Sequence, residues 1–106
     1  QSRDFTYIDN VVHANLLAAD AKAEAAGQVF NVAMGNTVTL LELIDELNTL
    51  LGTNIKPEHG PPREGDIRES LADITNARSL LGYEPQVSFR DGLKRSIDFY
   101  RELAGK

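Results

Sequence analysis

Between Thr39 and Gly52 the chain reads Thr-Leu-Leu-Glu-Leu-Ile-Asp-Glu-Leu-Asn-Thr-Leu-Leu-Gly, and this stretch constrains the fold more than any other. Thr39 and Glu42 stand three apart as a capping box, which satisfies backbone donors at a helix start. Leu40, Leu43, Ile44, Leu47 and Leu51 recur at helical spacing, and Gly52 supplies a left-handed stop. This is the clearest helix in the chain.

Before this helix, residues 3 to 8 alternate polar and apolar types and predict a short strand. Asp9 or Asn10 is the expected cap of an alanine-rich helix from Val11 to about Ala25, with Val12, Leu16, Ala19 and Ala23 on its stripe and Gly27 as its stop. Residues 28 to 33 are short, mostly apolar and glycine-bounded, which predicts a buried strand. Beyond the central helix, residues 55 to 58 read as an edge strand and residues 60 to 66 as a stiff, proline-framed loop. Asp73 opens a short helix carrying Ile74, Ala77, Leu80 and Leu81 and ending at Gly82. Ser88 and Asp91 open a last helix in which Leu93, Ile97 and Tyr100 share a face. The expected class is α/β, or α+β for the chain taken alone: about four helices with short strands and no internal repeat. Three short strands make a poor sheet, so the architecture reads as incomplete, with an apolar face prone to self-association.

The chain has 106 residues, 42% of them hydrophobic and 25% charged, which suits one modest globular core, so residues 1–106 are read as one unit. No apolar run approaches the roughly 18 residues of a membrane span and no secretory segment opens the chain, so a cytoplasmic protein is expected. Cysteine is absent, which excludes disulfides and thiolate metal sites. A formal charge of −5 with dispersed lysines and arginines argues against nucleic acid. It does not argue against one bound anion, because bidentate guanidinium contacts depend on local placement. The chain opens on Gln1 and runs at once into Arg3-Asp4-Phe5-Thr6-Tyr7, which reads as a piece of something longer.

Arg3, at a strand start, and Arg63, in the proline and glycine loop with Asp66 three residues on, are the candidate anion contacts. Taken singly each reads as a solvated charge. Together they can hold a diphosphate, with Asp66 accepting from a hydroxyl. His13 and His59 have no partner at metal-ligand spacing, and no metal site is expected. Glu42, Asp45 and Glu46 serve helix capping and solubility better than acid–base catalysis. No glycine-rich dinucleotide fingerprint occurs.

Several ordered segments resemble the extended short-chain dehydrogenase/reductase family. They are the opening Gln1 to Ala14, Val29-Phe30-Asn31-Val32-Ala33, Thr39-Leu40-Leu41-Glu42-Leu43, Pro62-Arg63-Glu64-Gly65-Asp66-Ile67-Arg68-Glu69-Ser70-Leu71-Ala72-Asp73, Leu80-Leu81-Gly82-Tyr83-Glu84-Pro85 and Gly92-Leu93. The resemblance spans essentially the whole chain and is nearest to UDP-N-acetylglucosamine and UDP-glucose 4-epimerases. It implies the C-terminal, nucleotide-sugar-binding part of an extended Rossmann-type enzyme, with Arg3 and Arg63 on the diphosphate and Asp66 on a ribose hydroxyl. Asn31 matches an asparagine near the phosphates in some relatives, and a strand asparagine satisfying backbone groups explains it equally well.

Family epimerases oxidise the sugar at C4 with bound NAD, let the keto-sugar rotate, and return the hydride. A tyrosine of a Tyr-x-x-x-Lys motif is the acid–base group there. Here Tyr7, Tyr83 and Tyr100 are followed four places on by Val11, Val87 and Ala104, so no catalytic or cofactor-binding residue is assigned. NAD and its Rossmann domain are expected before Gln1, and this segment alone is expected to be inactive. The alternatives are a nucleotide-sugar dehydratase or decarboxylase of the same superfamily, or a small non-catalytic protein-interaction module.

Overall fold

In a computed structural model of the protein, residues 1–61, 64–65 and 67–105 are described. The elements are β1 (Ser2–Arg3), α1 (Ile8–Ala19), a 3₁₀ turn (Ala23–Ala25), β2 (Val38–Thr39), α2 (Leu40–Leu51), β3 (Glu69–Ser70), a π-helical α3 (Ala77–Leu81) and α4 (Phe89–Ala104). The sheet has the order β2-β1-β3. β1 runs antiparallel to β2, with Arg3 opposite Val38, and parallel to β3, with Arg3 opposite Ser70. The expected α/β class holds, with four helices around a very small sheet.

The helix signals act locally as read. The Thr39 hydroxyl accepts from the Glu42 N–H at 3.1 Å, and Gly52 ends α2 at φ 69°. The Ser88 hydroxyl accepts from the Asp91 N–H at 3.2 Å and opens α4. Asp73 accepts from the Thr75 N–H and hydroxyl, at 2.9 and 2.6 Å, so the helical backbone begins after it. Those two bonds stabilise the carboxylate and hold its pKa below the ordinary value. Gly82 closes α3 at φ 70°.

The strand expectations need correction. The strand expected over residues 3 to 8 stops at Arg3, because the Asp4 carboxylate turns away to accept the N–H groups of Met34 and Gly35, both at 2.9 Å. Residues 28 to 33 form no strand and Val29 is 90% exposed. Their backbone is held by side chains instead: the Ala33 carbonyl accepts from the Tyr83 hydroxyl at 2.8 Å. Residues 55 to 58 form none either, since both polar groups of the Ile55 backbone are taken by the Asn48 side chain, at 2.9 and 3.2 Å. The strands at Val38–Thr39 and Glu69–Ser70 had no signal long enough to read.

The first helix starts at Ile8, ahead of the expected Asp9 or Asn10 cap, and ends at Ala19, with Tyr7 in the capping position and no side-chain cap bond. Its inward face is also not the expected one. Val12 is 48% and Leu16 65% exposed, while Asn10 and Ala14 are buried. Asn10 takes an inward position because every polar atom of its amide is satisfied. Its oxygen accepts from the N–H groups of Gln86 and Val87, at 2.7 and 2.9 Å, and its nitrogen donates to the Val87 carbonyl at 2.8 Å. The core that follows joins Ala14, Ala25, Ala33, Ile74, Ala77, Leu81 and Tyr83. In α4, Ile97 is buried as expected but Tyr100 faces out.

The molecule is open for its length. Its radius of gyration is 16.7 Å, where a compact chain of this size has about 13 Å. Its accessible surface is 7971 Å², against roughly 5900 Å² for a folded monomer of this mass. Few side chains are therefore fully enclosed, and those few carry much of the packing.

Tyr83 tests this. Burial raises its hydroxyl pKa, and the Asp4 charge adds to the effect, so it stays a donor to Ala33. Tyr83→Phe should leave a buried carbonyl unpaired and lower stability by about 1–3 kcal/mol in urea unfolding. A loss within error of zero would contradict the assigned bond.

Candidate functional site

The short strands matter because they bring distant parts of the chain to one wall. The Gln1 carbonyl accepts from the Leu40 N–H at 2.9 Å, and the Ser2 N–H donates to the Arg68 carbonyl at 2.8 Å. The start of the chain is thus clamped between the first turn of α2 and the residues entering β3. Beside this clamp opens a groove of about 1150 Å³. Leu40, Leu41 and Ile44 give it an apolar wall, the segment Pro57 to Pro61 crosses it, and Arg3 and Arg68 supply positive charge, with Glu58 the one carboxylate among the described lining residues. His59 also faces this groove, where only a structural or solvated role was expected.

Arg3 ends β1, where it was expected to begin a strand, and its guanidinium donates to the Ser2 carbonyl at 2.7 Å. Arg63 and Asp66 lie outside the described residues. The described chain on either side of them does reach the site, since both Pro61 and Arg68 line the groove. Asn31 is not brought there. It is exposed, and its amide donates to the Asp73 carbonyl at 3.4 Å. His13 instead sits near the Tyr83 ring, with centroids 6.3 Å apart.

Three positions that matter were not read as functional from the sequence. Asp4 anchors residues 34 and 35 to the end of β1 and so holds the strand that carries Arg3. Its signal was an acidic residue within an otherwise β-like run. Asn10 and Arg68 had only their place inside longer matched segments.

Among the described residues no three His, Asp or Glu side chains gather where a metal could be held. Among the described residues no glycine turn leads from a strand into a helix N-terminus, the arrangement that cradles a dinucleotide. Of the glycines with positive φ, Gly52 and Gly82 end helices, and Gly27, Gly35 and Gly65 sit in turns or bends. The groove sets positive charge beside an apolar wall, which suits a ligand with an anionic part and an apolar part.

No protein-family profile matches the chain. It is 37% identical over 100 residues to a UDP-glucose 4-epimerase of Mycolicibacterium smegmatis, covering 94% of this chain and 31% of that protein. It is 33% identical to a UDP-glucuronate 4-epimerase of Thermodesulfobacterium geofontis, covering 96% and 31%. Among solved structures, the UDP-glucose 4-epimerase of Thermotoga maritima with UDP-glucose superimposes with a TM-score of 0.86 at 39% identity, covering 97% of this chain and 32% of that one. The UDP-glucuronic acid 4-epimerase of Bacillus cereus with UDP-glucuronic acid and NAD gives 0.88 at 32% identity, covering 97% and 33%.

In sequence and in fold the chain is similar to UDP-glucose and UDP-glucuronate 4-epimerases. It spans about a third of the length of the relatives it matches.

Because Asp4 holds the end of β1 in place, Asp4→Ala should free two backbone N–H groups and lower stability by about 1.5–3 kcal/mol, the scale of hydrogen bonds to a charged group. Asp4→Asn, which keeps one acceptor, should lose less. Equal stability of all three proteins in urea unfolding would refute the anchoring role.

Proposed function

We propose that this chain is the C-terminal, substrate-binding segment of an NAD-dependent UDP-sugar 4-epimerase. The observation that carries the reading is the groove in which Arg3 on β1 meets both described ends of the loop bearing Arg63 and Asp66. In this reading Arg3 and Arg63 hold the diphosphate through bidentate guanidinium contacts, and Asp66 accepts from a ribose hydroxyl. Asn31 steadies the backbone at Asp73, outside the groove lining. The apolar wall of Leu40, Leu41 and Ile44 keeps water from one side of the anion, which strengthens the charged contacts.

NAD supplies hydride transfer at the sugar, and its binding belongs to residues outside this chain, as does the acid–base tyrosine. The segment by itself has neither Tyr-x-x-x-Lys nor a dinucleotide fingerprint and is inactive in this account. Its elongated shape and surface excess fit a piece that packs on a cofactor-binding body. Within the substrate class, the family resemblance of Arg63-Glu64-Gly65-Asp66, Ser70-Leu71-Ala72-Asp73 and Tyr7-Ile8-Asp9-Asn10 implies a UDP-N-acetylhexosamine, whereas the relatives are named for UDP-glucose and UDP-glucuronate. Assaying the full-length enzyme on all three separates them.

In the full-length enzyme, Arg3→Ala and Arg63→Ala should each weaken UDP binding by about 1.5–3 kcal/mol in calorimetry, the scale of a charged hydrogen bond. Unchanged UDP affinity in both variants would defeat the assignment.

A further inference from the structure

Arginines in this chain mostly have visible employment. Arg78, Arg90 and Arg95 are ion-paired to Glu84, Glu46 and Asp9, at 3.4, 2.6 and 3.3 Å. Arg101 donates to the Leu50 carbonyl, the last turn of α2. Arg68 differs from all four. It is exposed and lines the groove, and among the described residues its guanidinium has no carboxylate or carbonyl partner. Its backbone is nonetheless held firmly, because its carbonyl accepts from Ser2 beside the parallel β1–β3 pair.

That pairing fixes where Arg68 stands. Ser2 lies opposite Glu69 and Arg3 opposite Ser70, so Arg68 lies level with Gln1, two residues from Arg3 along the neighbouring strand direction. Residues two apart face the same side of a sheet, which is why Gln1, Arg3 and Arg68 line one groove while Glu69 is outside its lining. Among the described lining residues two guanidinium groups stand with one carboxylate, Glu58, so this part of the groove is positive within a chain of formal charge −5. A diphosphate has enough oxygens for more than one guanidinium fork, and an unpaired arginine beside such a group needs only to reorient to bind it.

We propose that Arg68 is a further ligand-binding residue, a guanidinium contact to the diphosphate on the opposite strand from Arg3. This rests on the diphosphate reading given above and adds to it a residue whose side chain is otherwise uncommitted. A lysine at this position would keep the charge and lose the fork.

The test is calorimetry on the full-length enzyme with UDP and with uridine, for wild type, Arg68→Ala, Arg68→Lys and Arg3→Ala. Arg68→Ala should bind UDP about tenfold more weakly while binding uridine as wild type does, and Arg68→Lys should recover part of the loss. If Arg68→Ala binds UDP normally while Arg3→Ala is weakened, the role of Arg68 is overturned and the diphosphate site stands. If neither variant is weakened, the diphosphate reading itself falls. An equal loss for UDP and uridine would show that Arg68 acts through the fold, and that also overturns the proposal.

Discussion

The Asn10 amide, 0% exposed, ties the first helix to the turn before the last one, and the rest of the structure is arranged around that tie. Three hydrogen bonds join it to Gln86 and Val87, more than seventy residues away, and a fourth contact reaches the Met34 sulfur at 3.4 Å. An unsatisfied buried amide would cost several kcal/mol, so α1 can take this rotation only when residues 86 and 87 are in place. That coupling turns Val12 and Leu16 outward and gives the inward face to small residues such as Ala14. Once α1 is set this way, Tyr83 and Ile74 complete the core from the other side.

The site depends on a similar use of polar groups. Asp4 ends β1 by capturing two backbone N–H groups, and this leaves Arg3 on a strand of only two residues. Such a strand is too short to stand by itself, so it is clamped by Leu40 on one side and Arg68 on the other. The clamp draws the start of α2, the loop from Pro57 to Pro61 and the approach to β3 into one groove. Positive charge then gathers locally in an acidic chain, and the surface left open on other faces fits packing against a further body.

Helices were legible in the sequence wherever a cap and a stop lay close together. Thr39 with Gly52, Ser88 with Asp91, and Gly82 all act within a turn of their own positions, so local chemistry settles them. Strands were not legible, because pairing in so small a sheet is decided by distant partners. Residues 28 to 33 have β-favouring composition, yet Tyr83 and Asp4 take the backbone groups at their end. The stripe of α1 differs for a related reason: Asn10, expected as a possible cap, lies inward because its partners at Gln86 and Val87 are supplied from elsewhere. Arg3 could be found from its neighbours in sequence, whereas Arg68 and His59 become visible as groove residues only once the three strands are assembled.

The central claim is that the groove beside β1 holds the diphosphate of a nucleotide sugar. A crystal structure of the full-length enzyme with a UDP-sugar tests it most directly. The account predicts the diphosphate within hydrogen-bonding distance of the Arg3 guanidinium. A UDP-sugar bound elsewhere, with Arg3 still turned onto the Ser2 carbonyl, would contradict it.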